Sequence, residues 1–598
     1  MDLSPARNRG TSLRRSLSGI TRVGLLLALC LLLLPSGVTL PAAPAPHSPA
    51  PAALASSALT VRERYGIASS HLACYDAQVM EKEFQALQEL QAGWVRCTFA
   101  WHDLEWQGND IWTLGSADRA VQEADQRGIR VLGILGGCPS WANGGKEPTY
   151  PPTPQNLVHW ADYVRTVSAR YRGKVAAWEI WNEENIQFWQ PQPDPVYYVQ
   201  LLAIAYEEIR QADPQAKVVM GGMAGVGADF LIEAFEAGAL NYVDAVAYHP
   251  YADTIGEETD PPEALQWPKE VLSRNLVLAV RDLIWQYEKN RPIELWITEL
   301  GWSASDSHPT PVDTETQAAY LMRAMINYAS TNLDRFMVYS LRDDRDEVND
   351  WCGLMKYDFT PKPSYHYYRT FMEVFGEATS EDAAAVSFSC SRPSTLEAHC
   401  FPLPDGSLAL AAWKSDNQPD TLSLTVQDPA FSTLAFIDPS SGQRTAAAVS
   451  RDAWGRLQLS GVSIGKNPVI MRVGRLRVTS VEPDRAMQNT IWLNLSVEGS
   501  GFQEGAQVRL VKGGTTIEAF NVNVVSPQQL TAVAGLFLAE PGSYDLVVTN
   551  PDGEEARAEG IFTVTAMCGL GGGAAVLFLG FMLGLATATG YLRRKRPR

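Results

Sequence analysis

The sequence predicts an α/β fold: a (β/α)8 barrel over residues 59–377, then two all-β sandwich modules and a C-terminal transmembrane helix. Three observations predict it. Short apolar runs alternate with amphipathic stretches through residues 62–377. Parallel strands buried on both faces read this way, because neither face meets water. After Gly376 the helical periodicity stops, and short β-like runs take over between turn residues. Residues 567–592 are apolar and Gly-rich, and a helix of that length spans a bilayer.

Taken in order, residues 1–58 carry Arg14, Arg15 and Arg22 ahead of an apolar run at 23–34, followed by a Pro/Ala-rich stretch. This reads as an export signal and a linker. Strands are expected at 65–68, 94–99, 130–135, 175–181, 217–221, 245–248, 294–298 and 336–340. Helices are expected between them, among others at 76–90, 116–127, 155–171, 314–329 and 363–375. Eight such repeats fit the usual length of a closed parallel barrel. Residues 378–474 and 475–566 form the two sandwich modules, read here as rigid spacers. Arg593, Arg594, Lys595, Arg596 and Arg598 follow the last apolar run. The positive-inside rule puts that tail in the cytoplasm and the rest outside.

The formal charge is −18 although both termini are basic, so the part between them is more acidic still. That argues against nucleic acid or an anionic membrane surface as a partner. Of the eight cysteines, none forms a CxxC pair or a His/Cys cluster, so no metal site is expected. Cys390 and Cys400 flank a hairpin, and a disulfide between them would suit an extracellular compartment.

Two glutamates stand at the ends of strand-like runs. One run is Trp178-Glu179-Ile180-Trp181-Asn182-Glu183, the other Leu295-Trp296-Ile297-Thr298-Glu299. A barrel gathers the C-terminal ends of its strands at one mouth, so the two carboxyl groups meet there. Such a pair, roughly 5 Å apart, is what cleaves a glycosidic bond with retention.

Asn182-Glu183 on the fourth strand with Glu299 on the seventh resembles the clan A glycoside hydrolases, whose barrels are TIM barrels. Trp101-His102-Asp103-Leu104-Glu105-Trp106, Pro139-Ser140-Trp141-Ala142, Tyr171-Arg172-Gly173, Gly353-Leu354-Met355 and Pro361-Lys362-Pro363 extend the resemblance over residues 62–377. Families thirty-nine and five are the nearest in pattern. Val481-Glu482-Pro483 and the stretch from Pro541 to Gly553 make the last module resemble an IPT/TIG domain.

The resemblance implies roles. Glu183 is the general acid/base and Glu299 the nucleophile. Asn182 holds the sugar 2-hydroxyl, Tyr251 positions Glu299, and Arg96 keeps it ionised. His249 fills the clan's His-x-Tyr position with Tyr251. Trp141, Trp302 and Trp351 supply faces on which sugars stack. No metal or organic cofactor is implied. Two departures stand out. Glu184 follows Glu183 where many relatives carry Pro, which leaves open which of the two is the acid. The end of the eighth strand reads Tyr339-Ser340 in place of a platform Trp, and Trp351 is the expected substitute. Glu179 is expected to pair with a buried arginine.

Together these readings give an exported, membrane-tethered retaining glycosidase of polysaccharide or oligosaccharide. A non-catalytic glycan-binding or adhesion protein and a transglycosidase are the alternatives. The glycan itself is left open.

Overall fold

Strands β1 (Tyr65–Ala68), β2 (Trp94–Thr98), β3 (Arg130–Leu135), β4 (Val175–Asn182), β5 (Lys217–Ala224), β6 (Ala245–His249), β7 (Glu294–Ile297) and β8 (Arg335–Tyr339) close into a barrel in sequence order. All pairs are parallel. β1 pairs β8 with Tyr65 opposite Phe336, which shuts the cylinder. The computed structural model describes residues 59–566, except 75, 226–227, 252–261, 266–275, 289–290, 305–310, 332, 345–350 and 552–554. The expected export signal, the basic tail and the apolar run at 567–592 lie outside the described residues. Among the described residues, no helix is long and apolar enough to cross a membrane.

The expected strands match the observed ones to within one to three residues at each end. The reason is their burial. In β1 and β6 every residue is buried, so the sequence of each reads as a continuous apolar run. The barrel interior is filled by Trp94, Leu132, Ala177, Val219, Ala245, Ala247, Trp296 and Met337. Trp94 and Trp296 meet edge to face at 5.5 Å. The floor of the barrel is therefore solid, and only its C-terminal mouth is open to chemistry.

Helices surround this core, and several start on side-chain caps. Asp76 accepts from the Gln78 and Val79 N–H groups ahead of Ala77–Glu89. Asp194 accepts from Tyr197 N–H ahead of Pro195–Ala212. Asp313 accepts from Thr316 N–H ahead of Thr314–Ala329. Each cap satisfies N–H groups that the first turn leaves unpaired.

The first all-β module is a five-stranded sheet facing a four-stranded one. It is more than a spacer. Phe401, Ala409, Ala411, Trp413, Ile437 and Ile470 join the barrel's own apolar cluster, and Phe375 meets Phe401 edge to face at 5.5 Å. The expected Cys390–Cys400 disulfide is absent; both are free thiols. Cys400 lies buried in Leu396–Pro402 of the five-stranded sheet. Cys390 follows Val386–Ser389 of the four-stranded sheet, near the Lys414 ammonium. The last module, again two sheets, has an apolar core of its own.

Candidate active site

The site is built at the mouth by four strands. β2 brings Arg96, β4 brings Glu179, Asn182 and Glu183, β6 brings His249 and then Tyr251, and β7 leads into Thr298 and Glu299. The end of β4 is bent. Trp181 and Glu183 adopt left-handed backbone, φ 71° and 51°, a conformation that costs a bulky residue on the order of 1–3 kcal/mol. The Glu183 N–H is then fixed by the Gly222 carbonyl at 2.9 Å. Gly222 has to be glycine, because a Cβ there would fall 2.0 Å from His249 Nε2.

The two glutamates face each other. Glu183, His249 and Glu299 each offer an atom within 4.8 Å of the others. His249 Nδ1 lies 2.9 Å from Glu183 Oε1, and its Nε2 lies 3.0 Å from Thr298 Oγ1. Glu183 Oε2 is thus left for the cleft. Tyr251 donates its hydroxyl to Glu299 Oε2 at 2.9 Å. Arg96 donates Nη1 to Glu299 Oε1 at 2.5 Å. The other side of the same guanidinium grips Glu179 with two bonds of 2.8 and 2.9 Å and reaches Asn182 Oδ1 at 2.7 Å. Asn182, with its Oδ1 so held, lines the cleft. Gly222 N–H also binds Glu179 at 2.9 Å, so Glu179 is the buried structural partner of an arginine.

Electrostatics separate the carboxyl groups. Burial pushes Glu299 up, but His249, the Arg96 guanidinium and the Tyr251 hydroxyl outweigh it, and its pKa lies below the ordinary 4.5. Glu184 goes the other way. Burial, reinforced by Glu179 and Glu183, raises it to about 8. The neighbouring Tyr198 hydroxyl donates to the Ile180 carbonyl at 2.9 Å, and burial remains the largest influence on the Glu184 carboxyl. Glu184 packs against Gly221 behind β5, where a Cβ would fall 2.3 Å from its Oε2. Glu183 lines the cleft and Glu184 does not. Donor spacing alone would let Glu183, His249 and Glu299 grip a cation, but the guanidinium already bound to Glu299 opposes a second positive charge there.

The cleft has a volume of about 710 Å³, within the range of small-molecule sites. Of the expected residues, Arg96, Asn182, Glu183, Tyr251, Glu299 and Trp302 line it. His249 is buried beneath it. Trp141 is not brought there: its ring packs edge-on against Trp101 at 5.5 Å, and its indole N–H is taken by the Glu105 carbonyl. Trp351 does not line the cleft either; its carbonyl is bound by Gln317 and Lys362. Tyr339 occupies the wall where Trp351 was expected, edge-on to Tyr251 at 6.4 Å. Trp181 and Phe188 were missed. Both line the cleft, joined by a bond from the Trp181 indole to the Phe188 carbonyl at 2.9 Å. Their position on and just past β4 was the signal, since loops at strand C-termini build barrel sites.

No protein-family model matches the chain. Solved structures do share its fold. A family 39 glycoside hydrolase from the gut symbiont Bacteroides cellulosilyticus WH2 aligns with a TM-score of 0.55 at 20% identity, over 70% of this chain and 82% of that one. The structural neighbours are clan A glycoside hydrolases. A monomeric β-xylosidase from Caulobacter crescentus CB15 aligns at 0.51 and 18% identity, over 70% of this chain and 98% of that one. The likeness to both clan A enzymes is one of fold. It covers more of the chain than the barrel alone.

Proposed function

We propose that this chain is a retaining O-glycoside hydrolase of polysaccharide or oligosaccharide, with Glu299 as nucleophile and Glu183 as acid/base. The observation that carries the reading is the approach of Glu183 and Glu299 to within 4.8 Å at the barrel mouth, the spacing of a double displacement.

The chemistry follows from what each group touches. Glu299, ionised and held by Arg96 and Tyr251, attacks the anomeric carbon. Glu183 gives its proton to the glycosidic oxygen through Oε2, and that C–O bond breaks. The sugar is then an ester of Glu299, whose charge is gone. Glu183, now a carboxylate, takes a proton from water as the water attacks the same carbon, and Glu299 leaves. Two inversions give retention. His249 serves Glu183 in both states: with Nδ1–H donating to Oε1 at 2.9 Å, the catalytic proton is kept on Oε2 in the acid form, and the same bond steadies the carboxylate once that proton has gone. The Asn182 amide meets the 2-hydroxyl, where contacts strengthen in the transition state.

The β-xylosidase among the structural neighbours makes an aryl β-xyloside the first probe. The export signal expected in residues 1–58 and the apolar run 567–592 favour a place at the outer face of a membrane; recovery of the full-length chain in the cytosol would contradict this. The enzymatic test uses a panel of 4-nitrophenyl β-glycosides. Wild type turns over at least one. Glu299→Ala loses about 10⁴-fold or more. Glu183→Ala recovers turnover with azide and yields the β-glycosyl azide. Equal rates for wild type and Glu299→Ala would refute the assignment.

A further inference from the structure

The last module carries an exposed apolar tip. Met487, Ile491, Trp492, Phe537 and Leu538 are 63, 57, 77, 64 and 75% exposed. They come from two connections that are laced together. Asn489 N–H donates to the Leu536 carbonyl at 3.0 Å, and Leu536 N–H to the Thr490 carbonyl at 2.8 Å. Asn489 Oδ1 accepts from Leu538 N–H at 3.0 Å. Leu538 itself is held at φ 62°, a conformation leucine adopts only at a cost. The tip is thus a built surface. No charged residue occurs from Ala486 to Leu493 or from Gly535 to Ala539. Beside it, Glu540 is paired with Lys512 at 3.4 Å. A soluble surface gains nothing from such a patch, and a cluster of this kind marks a binding face.

The path of the chain says what it faces. Arg485–Met487 pairs in parallel with the end of Glu555–Thr565, with Met487 opposite Thr565. Gln488 N–H donates to the Thr565 carbonyl at 2.8 Å. The chain therefore leaves the module beside the tip, and the apolar run 567–592 begins two residues later. The opposite end faces the rest of the molecule. Leu493–Ser500 runs from the tip to Ser500, which pairs with Arg477, and Arg477 donates to the Asp405 carbonyl of the preceding module. A strand of that length spans about 26 Å.

We propose that this tip is a membrane-contact surface. Trp492, Phe537 and Leu538 rest in the interfacial layer of the bilayer that residues 567–592 span, and the module stands on it as a foot. The inference rests on the membrane tether described above. Tryptophan and other large apolar side chains favour that layer. With no charge in the tip, the contact is apolar and insensitive to salt.

The test uses the full chain reconstituted in phosphatidylcholine vesicles, beside Trp492→Phe. The difference in emission between the two is Trp492's own share. With acyl chains brominated near the headgroup, that share falls about twofold relative to plain vesicles, and raising the salt does not restore it. The double variant Phe537→Ser/Leu538→Ser weakens the quenching while the chain still floats with the vesicles. Flotation with an unquenched Trp492 overturns the proposal, leaves the tether standing and assigns the tip to a protein partner. A chain that does not float overturns both.

Discussion

Glu183 and Glu184 are neighbours in sequence with opposite environments, and the difference is measurable. Glu184 is protonated in the fold up to about pH 8, whereas an unfolded glutamate ionises near 4.5. Between those values the folded state binds the extra proton, so this residue makes stability fall as pH rises. Glu184→Gln removes the effect. Its advantage over wild type in thermal unfolding is expected to be small at pH 4 and to grow to on the order of 4 kcal/mol at pH 8. A pH-independent difference would contradict the raised pKa. Glu299 has the reverse sign. Its pKa is lowered in the fold, so its pairings stabilise above the unfolded value and are lost as pH falls through the folded one. Activity accordingly persists below pH 4.5 on its acid side. Tyr251→Phe removes one donor to that carboxylate and leaves Arg96 in place. It is expected to move the acid limb of kcat/KM upward and to cost about tenfold in rate; an unmoved limb would mean that Tyr251 does not hold the nucleophile.

At the scale of elements, one contact ties the site to the first β module. The short helix Pro262–Leu265 lies in the connection that follows Tyr251. Its Glu263 is buried against Arg323 of helix Thr314–Ala329, with Nε to Oε1 at 3.1 Å. The Trp413 indole of the β module donates to the same carboxylate at 2.7 Å, and Arg323 reaches Asn417 Oδ1 at 2.7 Å. Arg323→Met would leave Glu263 buried without its cation, at a cost of about 3–5 kcal/mol. Urea unfolding of that variant, followed by intrinsic fluorescence and by activity, is expected to show both signals moving to lower denaturant together. A shift confined to one signal would mean that the contact does not join the two modules. This contact was invisible in the sequence, because it unites side chains from three distant segments. The strands were legible, since burial on both faces leaves an apolar run that needs no partner to be recognised. The Glu183 and Glu299 positions were legible for the same reason, being the polar residues that end such runs. The tryptophans were not. Trp141 is used to pack against Trp101 and Trp302 lines the cleft, yet nothing in the local sequence distinguishes a ring that fills a wall from one that faces a sugar.

At the scale of the whole molecule, the barrel's apolar cluster takes in one outer sheet face of the first sandwich, which keeps a core of its own between its sheets, and the last module has a third. The first sandwich reads as a spacer in the sequence because alternating strand patterns do not reveal whether a sheet's outer face meets water or another domain. If residues 567–592 hold the chain in a bilayer, deleting them together with the basic tail releases the activity into the soluble fraction without changing kcat/KM on an aryl glycoside. Activity that stays with the membranes would place the anchor elsewhere.

The central claim is that Glu299 carries the sugar between two displacements. The most direct measurement is to trap that ester with 2,4-dinitrophenyl 2-deoxy-2-fluoro-β-glycosides of the sugar whose aryl glycoside is turned over, then to map the label by peptide mass spectrometry. The account predicts one fluoroglycosyl group on the peptide containing Glu299, with activity lost in step with labelling. A label on another residue, or turnover of the parent glycoside that persists in Glu299→Gln, would contradict it.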